Sequence, residues 1–476
     1  MTMAGRDITN TVTRSQRIRL ALLIAWPVVL ENILVALVNM IDTAMVSSLG
    51  AYATSAVALC TTPAWVLNSV IMSANVGCSV LVAHRVGAKD WKGARQGARE
   101  SLVLGFLFGL VFMTAIELLS AHIPVWMGGA PDVTPYSTEY LRIVALGYPF
   151  YFMGLVLCGS VRGAGDTLTP MLVTSLADIL NVIGNFFLIY EPRRLQMFGA
   201  SVPVWGAGLG IRGAAMATAA ATAFSGITAA VLCLRKKEGL YLRLRESYRL
   251  VVSDLKEIFY VGLPTAAERM AISIGQIFFV KTVTILGTVI YAGHHLAITA
   301  ESICYTPGYG LQAAGTALTG QAIGAGREDL AESYARITIW LGTGVMALIA
   351  LLMFVFADPF IGLFTPDPEV RAYGVIALRI VAFAEPFFAM QIVGSGVLRA
   401  LGDVKVTVPI SLFCMWLIRL PLAALFVRKL NLGLAGAWYA MDLDLLVRGS
   451  VTMLRFYSGK WKKLYSKHYK GETGEN

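Results

Sequence analysis

Apolar stretches of about 20 residues, the length that crosses a bilayer as a helix, follow one another along almost the whole chain with only short polar breaks between them. Twelve can be counted, at residues 17–42, 55–82, 99–120, 138–160, 168–190, 210–234, 257–284, 291–319, 335–357, 373–397, 405–427 and 433–456. The pattern predicts an all-α integral membrane protein with twelve transmembrane helices. Composition agrees: charged residues make up 14% and hydrophobic ones 57% of the 476, where soluble domains carry about 25% charged. The mean hydropathy is +0.67.

The pattern is also written twice. Pro27 and Glu31 recur as Pro264 and Glu268, and 264 − 27 is 237. At the same offset Leu49-Gly50 returns as Leu286-Gly287, Gly87-Ala88 as Gly324-Ala325, Pro149-Phe150 as Pro386-Phe387, Arg162 as Arg399 and Gly165-Asp166 as Gly402-Asp403. A constant offset held without a gap implies a duplicated structural unit. Each copy holds six spans, and six is even, so both copies enter the membrane from one side as a parallel repeat. Gly213-Ala214 then pairs with Gly436-Ala437, an offset of 436 − 213, or 223, so the loop before the last helix is expected to be shorter in the second copy. The expected organisation is an amino-terminal segment 1–16, a six-helix bundle 17–234, a linker 235–256, a second bundle 257–456 and a basic tail 457–476.

Lys and Arg mark the cytoplasmic side of a membrane protein. They crowd the amino terminus (Arg6, Arg14, Arg17, Arg19), the loop after span 2 (Arg85, Lys89, Lys92, Arg95, Arg99), the linker (Arg235, Lys236, Lys237, Arg243) and the tail (Arg455, Lys460, Lys462, Lys463, Lys467, Lys470). All of these fall on one face, whereas Arg193, Arg194, Arg428 and Lys429 fall on the other. Both termini are therefore expected to be cytoplasmic, in a multi-pass protein of the cell membrane. The net charge of +10 belongs to juxtamembrane loops that face anionic lipid, so membrane lipids and not nucleic acid are the expected partners. Span 1 is too long for a signal peptide and lacks a small-residue cleavage site, so it is expected to remain as a membrane helix. The six cysteines stand singly without CxxC spacing and read as packing residues. His294-His295 are placed in a tight break between spans.

A carboxylate at the centre of a span costs about 2.5–3.5 kcal/mol on insertion scales and so tends to line a cavity or bind something. Glu31 and Asp42 are eleven residues apart, almost three turns and roughly 16 Å along one helix face. Asp178, Asn181 and Asn185 share one face of span 5 by their i, i+3, i+7 spacing. Asp42, Asp178, Asn181 and Asn185, with Thr218 of span 6, offer oxygen ligands for a cation or a proton site, while asparagine amides can equally tie neighbouring helices together. Pro27 and Pro264 lie inside apolar helices, where each removes a hydrogen bond and favours a bend.

The repeat serves as an internal control. Shifted by 237, Asp42 becomes Phe279, Asp178 becomes Met415, Asn181 becomes Ile418 and Asn185 becomes Leu422. Polar residues that only held six helices together should be needed twice, so this asymmetry favours a site in the first half. The second half keeps Glu268 and has Glu385 in place of Tyr148. Glu31, Tyr148, Glu268, Gln276 and Glu385 are read as a second-half acidic locus and candidate substrate cavity; for Glu268 and Glu385 the alternative is a buried ion pair, with Arg419 and Lys281 as candidate partners.

Trp26-Pro27 through Asp42-Thr43-Ala44-Met45-Val46 and Leu49-Gly50, the Gly87-Ala88 loop, Arg162-Gly163-Ala164-Gly165-Asp166-Thr167 and their second-half copies resemble the multidrug and toxic compound extrusion (MATE) family over essentially the whole chain. The resemblance implies a V-shaped pair of six-helix bundles exporting amphipathic, often cationic compounds in exchange for H+ or Na+, with no other cofactor. It implies that Asp42 is the first-helix coupling acid, with Asn181 and Thr218 at other polar positions and Na+, if used, at Asp42 and Asn181. Asn185 stands where some members carry aspartate, with Asp178, seven residues earlier on the same face, as substitute. In the second half Glu268 comes about one turn early and Phe388 takes the place of a span-10 acid, with Glu385 nearby. The expectation is a monomeric multidrug efflux antiporter for small organic substrates. The alternatives are a flippase for a lipid-linked precursor, which should line its cavity with cations, or an integral-membrane enzyme, for which no His/Asp or Ser/His constellation is present.

Overall fold

The computed structural model describes residues 13–197, 200–235, 239–243 and 245–462; the expected basic positions Arg6, Lys236, Lys237, Lys463, Lys467 and Lys470 lie outside them. The first copy of the repeat comprises α1 (Arg14–Ser47), α2 (Ala51–Gly87), α3 (Trp91–Leu119), a single turn α4 (Ile123–Trp126), α5 (Thr134–Ala145), α6 (Tyr148–Gly163), α7 (Leu168–Leu188), strands β1 (Arg193–Met197) and β2 (Ala200–Val204), and α8 (Ile211–Arg235). The second copy comprises α9 (Val252–Thr284), α10 (Thr288–Gly324), α11 (Glu328–Val355), α12 (Ala357–Gly362), α13 (Pro368–Val381), α14 (Glu385–Ala400) and α15 (Val404–Phe413). A π-helical stretch Cys414–Arg419, α16 (Leu420–Ala424), a second π-helical stretch Leu425–Lys429 and α17 (Gly433–Tyr457) complete it.

Taking α5 with α6, α13 with α14, and 404–429 as one helix each gives twelve long helical segments among the described residues. Seven are long and apolar enough to cross a membrane alone, and the two bent pairs raise this to nine. The other three, α9, α10 and α17, are as long but carry Glu268, Arg269 and Lys281, then His294, His295 and Glu301, then Asp442, Asp444 and Arg448. The second half therefore keeps polar groups inside its spans.

Two features go beyond the spans read from the sequence, and one expectation needs correction. Spans 138–160 and 373–397 are not straight: α5 meets α6 at 52° and α13 meets α14 at 59°. Pro149 and Pro386 sit at the second position of the new helix in each copy, where a proline starts a helix readily but cannot donate to the preceding turn, which favours a break there. The chain is also not wholly helical, because β1 and β2 pair antiparallel between α7 and α8, from Arg193 opposite Val204 to Met197 opposite Ala200. This hairpin accounts for the fall in repeat offset, since the second copy passes from Lys429 to α17 through residues 430–432 alone. His294, finally, lies within α10 and not in a break; it is buried, and Trp438 Nε1 donates to its Nδ1 at 3.1 Å.

Shared glycines have shared reasons. Gly165 and Gly402 follow α6 and α14 with φ of +89° and +80°, a region that side-chain-bearing residues rarely enter. A Cβ on Gly87 would overlap the backbone of Gln321, and one on Gly324 would overlap that of His84, each 237 positions from its counterpart. The ends of α2 and α10 thus cross backbone to backbone. All six cysteines are buried free thiols.

Among the described residues, contacts divide the chain into two compact units, one within 30–82 and 91–258, the other within 13–29, 83–90 and 259–462. The first packs around Phe152, Leu157, Leu81 and Ile71, the second around Trp438, Phe279, Leu378 and Met346. α1 and α9 each run as one helix through Pro27 and Pro264, and the division falls inside α1, directly after Val29.

Candidate functional site

In the first unit, α7 presents Thr174, Asp178, Asn181 and Asn185 at steps of four, three and four residues, one stripe of a helix. Its last member is fully buried and bridges two neighbours: Asn185 Nδ2 donates to Asp42 Oδ1 on α1 and to Asn181 Oδ1 at 3.2 Å. Asn181 Nδ2 in turn donates to Thr218 Oγ1 on α8 at 3.3 Å. Tyr140 of α5 lies against Thr218 and Asp42. Four of the five expected coupling residues are therefore joined in one hydrogen-bonded chain. Both hydrogens of the Asn185 amide are committed, while its buried Oδ1 has no hydrogen-bond partner.

Asp178, the fifth, does not join that chain. It lies on the side of Glu31 and Tyr151, and its Oδ2 is buried without a hydrogen-bond partner.

Glu31 is not a free cavity acid. Arg162 Nη2 donates to its two carboxylate oxygens at 2.6 and 2.8 Å, and Thr174 Oγ1 donates to Oε1 at 3.0 Å. The second unit repeats this arrangement: Arg399 Nη1 lies 3.3 Å from Glu268 Oε2, and Ser411 Oγ donates to Oε1 at 2.5 Å. Arg399 and Ser411 stand 237 positions after Arg162 and Thr174. Glu31 and Glu268 thus belong to a duplicated ion pair that fastens α1 to α6 and α7, and α9 to α14 and α15. Of the two alternatives for Glu268 and Glu385, Glu268 is in a buried ion pair, but with Arg399, while the candidate partner Arg419 pairs with Asp444.

The residues read as an acidic locus and substrate cavity are distributed over both units. Glu31 and Tyr148 belong to the first unit and the other three to the second. Tyr148 opens α6 at the bend and stacks on Phe152 with ring centroids 5.2 Å apart. Gln276 Oε1 accepts from Arg419 Nη1 at 3.3 Å. Glu385 opens α14 at the equivalent bend, is fully buried, and neither of its oxygens has a hydrogen-bond partner.

Around Glu385 the second unit gathers residues that the sequence reading missed. Glu301 of α10 and Asp442 of α17 lie close enough to act on it electrostatically, and Cys304 is beside it. Farther along α17, Asp444 pairs with Arg448 at 2.7 Å and with Arg419 at 2.6 Å. Arg419, carried by the π-helical stretch, stands 5.6 Å over the ring of Phe279, the residue that replaces Asp42. The signal lay in the repeat. At offset 237 Glu301 corresponds to Ala64, and at offset 223 Asp442, Asp444 and Arg448 correspond to Ala219, Ala221 and Ser225. Among the described residues no group of three or more His, Cys, Asp or Glu is placed to hold a metal ion.

The MatE family model matches the chain twice, over residues 27–187 and 264–425, so the two matches begin at Pro27 and Pro264. A probable multidrug resistance protein NorM of Thermotoga maritima is 31% identical over 450 residues, covering 94% of this chain and 93% of that protein. An uncharacterized transporter, YisQ of Bacillus subtilis, is 27% identical over 448 residues, covering 92% and 94%. Among solved structures, the outward-facing conformation of a multidrug resistance MATE family transporter of the MOP superfamily superposes with a TM-score of 0.85 at 22% identity, over 94% of this chain and 97% of that one. At that identity the likeness is one of fold.

Proposed function

The chain belongs to the MatE family of membrane transporters, and on that footing we propose that it is a secondary active antiporter. In this reading it exports amphipathic organic cations across the cell membrane in exchange for H+ or Na+ by alternating access, with both termini cytoplasmic. The observation that carries the reading is the chain from Asp42 through Asn185 and Asn181 to Thr218, built in one half of a duplicated molecule and absent from the other.

The chemistry follows from the direction of these hydrogen bonds. An ionised Asp42 only accepts, and the Asn185 amide satisfies it. A proton on Asp42 removes the charge that strengthens the bond from Asn185 Nδ2 and gives the acid an O–H donor, toward which the amide can turn its orphaned Oδ1. Turning would withdraw a donor from Asn181, so one protonation event changes the ties among α1, α7 and α8. For Na+, Asp42 and Asn181 supply oxygens, and Asn185 Oδ1 is a further acceptor without a partner. Pro27 lacks the N–H that would complete the α1 ladder at that turn, which supports it as the place where α1 bends in response.

In the second unit, the unpartnered oxygens of Glu385 and Asp442 together with Glu301 supply buried carboxyl groups suited to an organic cation or a further proton. A flippase for a pyrophosphate-bearing lipid is less well supported, because Arg419 is already held by Asp444 at 2.6 Å. The test is uptake of a fluorescent organic cation into proteoliposomes with an imposed proton or sodium gradient. Antiport requires accumulation that follows one of the two gradients; accumulation indifferent to both would sink the reading.

A further inference from the structure

We propose that Arg419 is a built-in counter-ion for the carboxyl cluster of the second unit, a tethered guanidinium that an organic cation must outcompete in order to bind. The inference rests on the reading of Glu301, Glu385 and Asp442 as a cation site, and it names what that site sets against its own substrate. All the residues concerned belong to the second unit.

The charge of Arg419 is more than its nearest partner needs. Asp444 is fully buried and already held by Arg448, one turn along α17, whose Nη2 donates to its two oxygens at 2.7 and 2.8 Å and whose Nε donates at 3.1 Å. Arg419 Nε lies 2.6 Å from the same carboxylate, so two buried guanidinia share one negative charge. Two further contacts of Arg419 are neutral: Nη1 donates to Gln276 Oε1 at 3.3 Å, and the guanidinium stands 5.6 Å over the Phe279 ring. A buried charge without a full opposite charge is costly. Glu301 and Asp442 lie within electrostatic reach of Arg419, and both act in turn on Glu385. The first of these carboxyls to ionise is therefore matched by Arg419, and an organic cation reaches it in competition with the arginine.

The competition is open because the acceptors are not locked in place. Both Glu385 oxygens and Asp442 Oδ1 are buried without a hydrogen-bond partner. The backbone under Arg419 is irregular as well. Arg419 ends the π-helical stretch Cys414–Arg419, and π turns inside helices frequently mark functional sites. Pro421, two residues on, withholds an N–H from the same part of the helix. The repeat ties these parts together: at offset 237 Arg419 corresponds to Val182, Glu385 to Tyr148 and Glu301 to Ala64. Arginine and acids are present in one copy and missing from the other, as expected of groups that act on each other.

The test is equilibrium dialysis of tritiated tetraphenylphosphonium, a permanent cation without hydrogen-bond donors, against purified full-length protein in detergent. Removing one competing unit charge in Arg419→Gln should tighten binding about tenfold. Arg419→Lys keeps the charge and should bind as the parent does, whereas in a Glu301→Gln background the gain from Arg419→Gln should shrink. If Arg419→Gln does not fold, Arg419→Met carries the same prediction, because an apolar side chain of similar volume often replaces a buried ionic one without loss of stability. Unchanged or weaker binding in the uncharged variant, or equal tightening in Arg419→Lys, would overturn the proposal. Glu385→Gln separates the two levels of the argument. Parent-like binding there overturns the cation-site reading and the counter-ion with it, while weaker binding there beside unchanged binding in Arg419→Gln overturns the counter-ion alone.

Discussion

Glu31 and Asp42 sit on the same helix and look alike in a sequence, yet they do different work. Glu31 is locked by Arg162 and Thr174, and its twin Glu268 by Arg399 and Ser411. Breaking a buried ion pair leaves an uncompensated charge at a cost of about 3–5 kcal/mol. Arg162→Ala should therefore lower the melting temperature in detergent by several degrees, and adding Glu31→Ala should cost less than the sum of the two single changes. An additive double variant would mean the two side chains do not act as a pair. Glu385 makes the opposite prediction. Its carboxylate is fully buried without hydrogen bonds, so nothing structural rests on its charge, and a neutral isostere escapes the penalty of burying one. Glu385→Gln should melt no lower than the parent while transporting cations less well; a drop of several degrees would assign Glu385 to the scaffold. The polar chain of the first half could be read from the sequence because helical spacing on α7 and failure of the repeat pointed to the same residues. The role of Glu31 could not. The Arg162 that neutralises it is 131 positions away, and only folding reveals that the two motifs shared by both copies are partners.

Among the elements, the long helices were legible from apolar length alone, whereas their bends were not. Pro149 and Pro386 were visible as repeated residues, but a proline inside an apolar run can either start a helix or bend one. Here each starts one, after turns of 52° and 59°. The hairpin of β1 and β2 was missed for a different reason: the sequence showed that the first-copy loop was longer, but loop length does not dictate pairing. Repeated glycines give the element scale its sharpest test. Gly87 and Gly324 meet backbone where α2 and α10 cross, while Gly344 in α11 has nothing within 4 Å of an added Cβ. Gly87→Ala and Gly324→Ala should each destabilise by about 1–3 kcal/mol through overpacking. Gly344→Ala should be neutral or stabilising by up to about 1 kcal/mol, from helix propensity. Thermal unfolding of the three variants decides the matter; similar behaviour of all three would show that the crossing is not tight.

At the scale of the whole molecule, duplication supplied the scaffold and divergence supplied the chemistry. The family match repeats from Pro27 and from Pro264, and the ion pairs of Glu31 and Glu268 repeat with it. The Asp42 chain occurs in the first unit, while Glu301, Glu385, Asp442 and Asp444 occupy the second. On the proposed reading both halves take part in substrate exchange, while Asp42 couples that exchange to an ion. Gradient-driven uptake and gradient-free counterflow should therefore separate in a single variant. The decisive measurement compares the two assays for the parent protein and Asp42→Asn in the same proteoliposomes. Coupling at Asp42 requires that Asp42→Asn lose at least about tenfold in gradient-driven uptake, equivalent to about 1.4 kcal/mol, while counterflow of the same organic cation persists. Gradient-driven uptake that is undiminished in Asp42→Asn would contradict it.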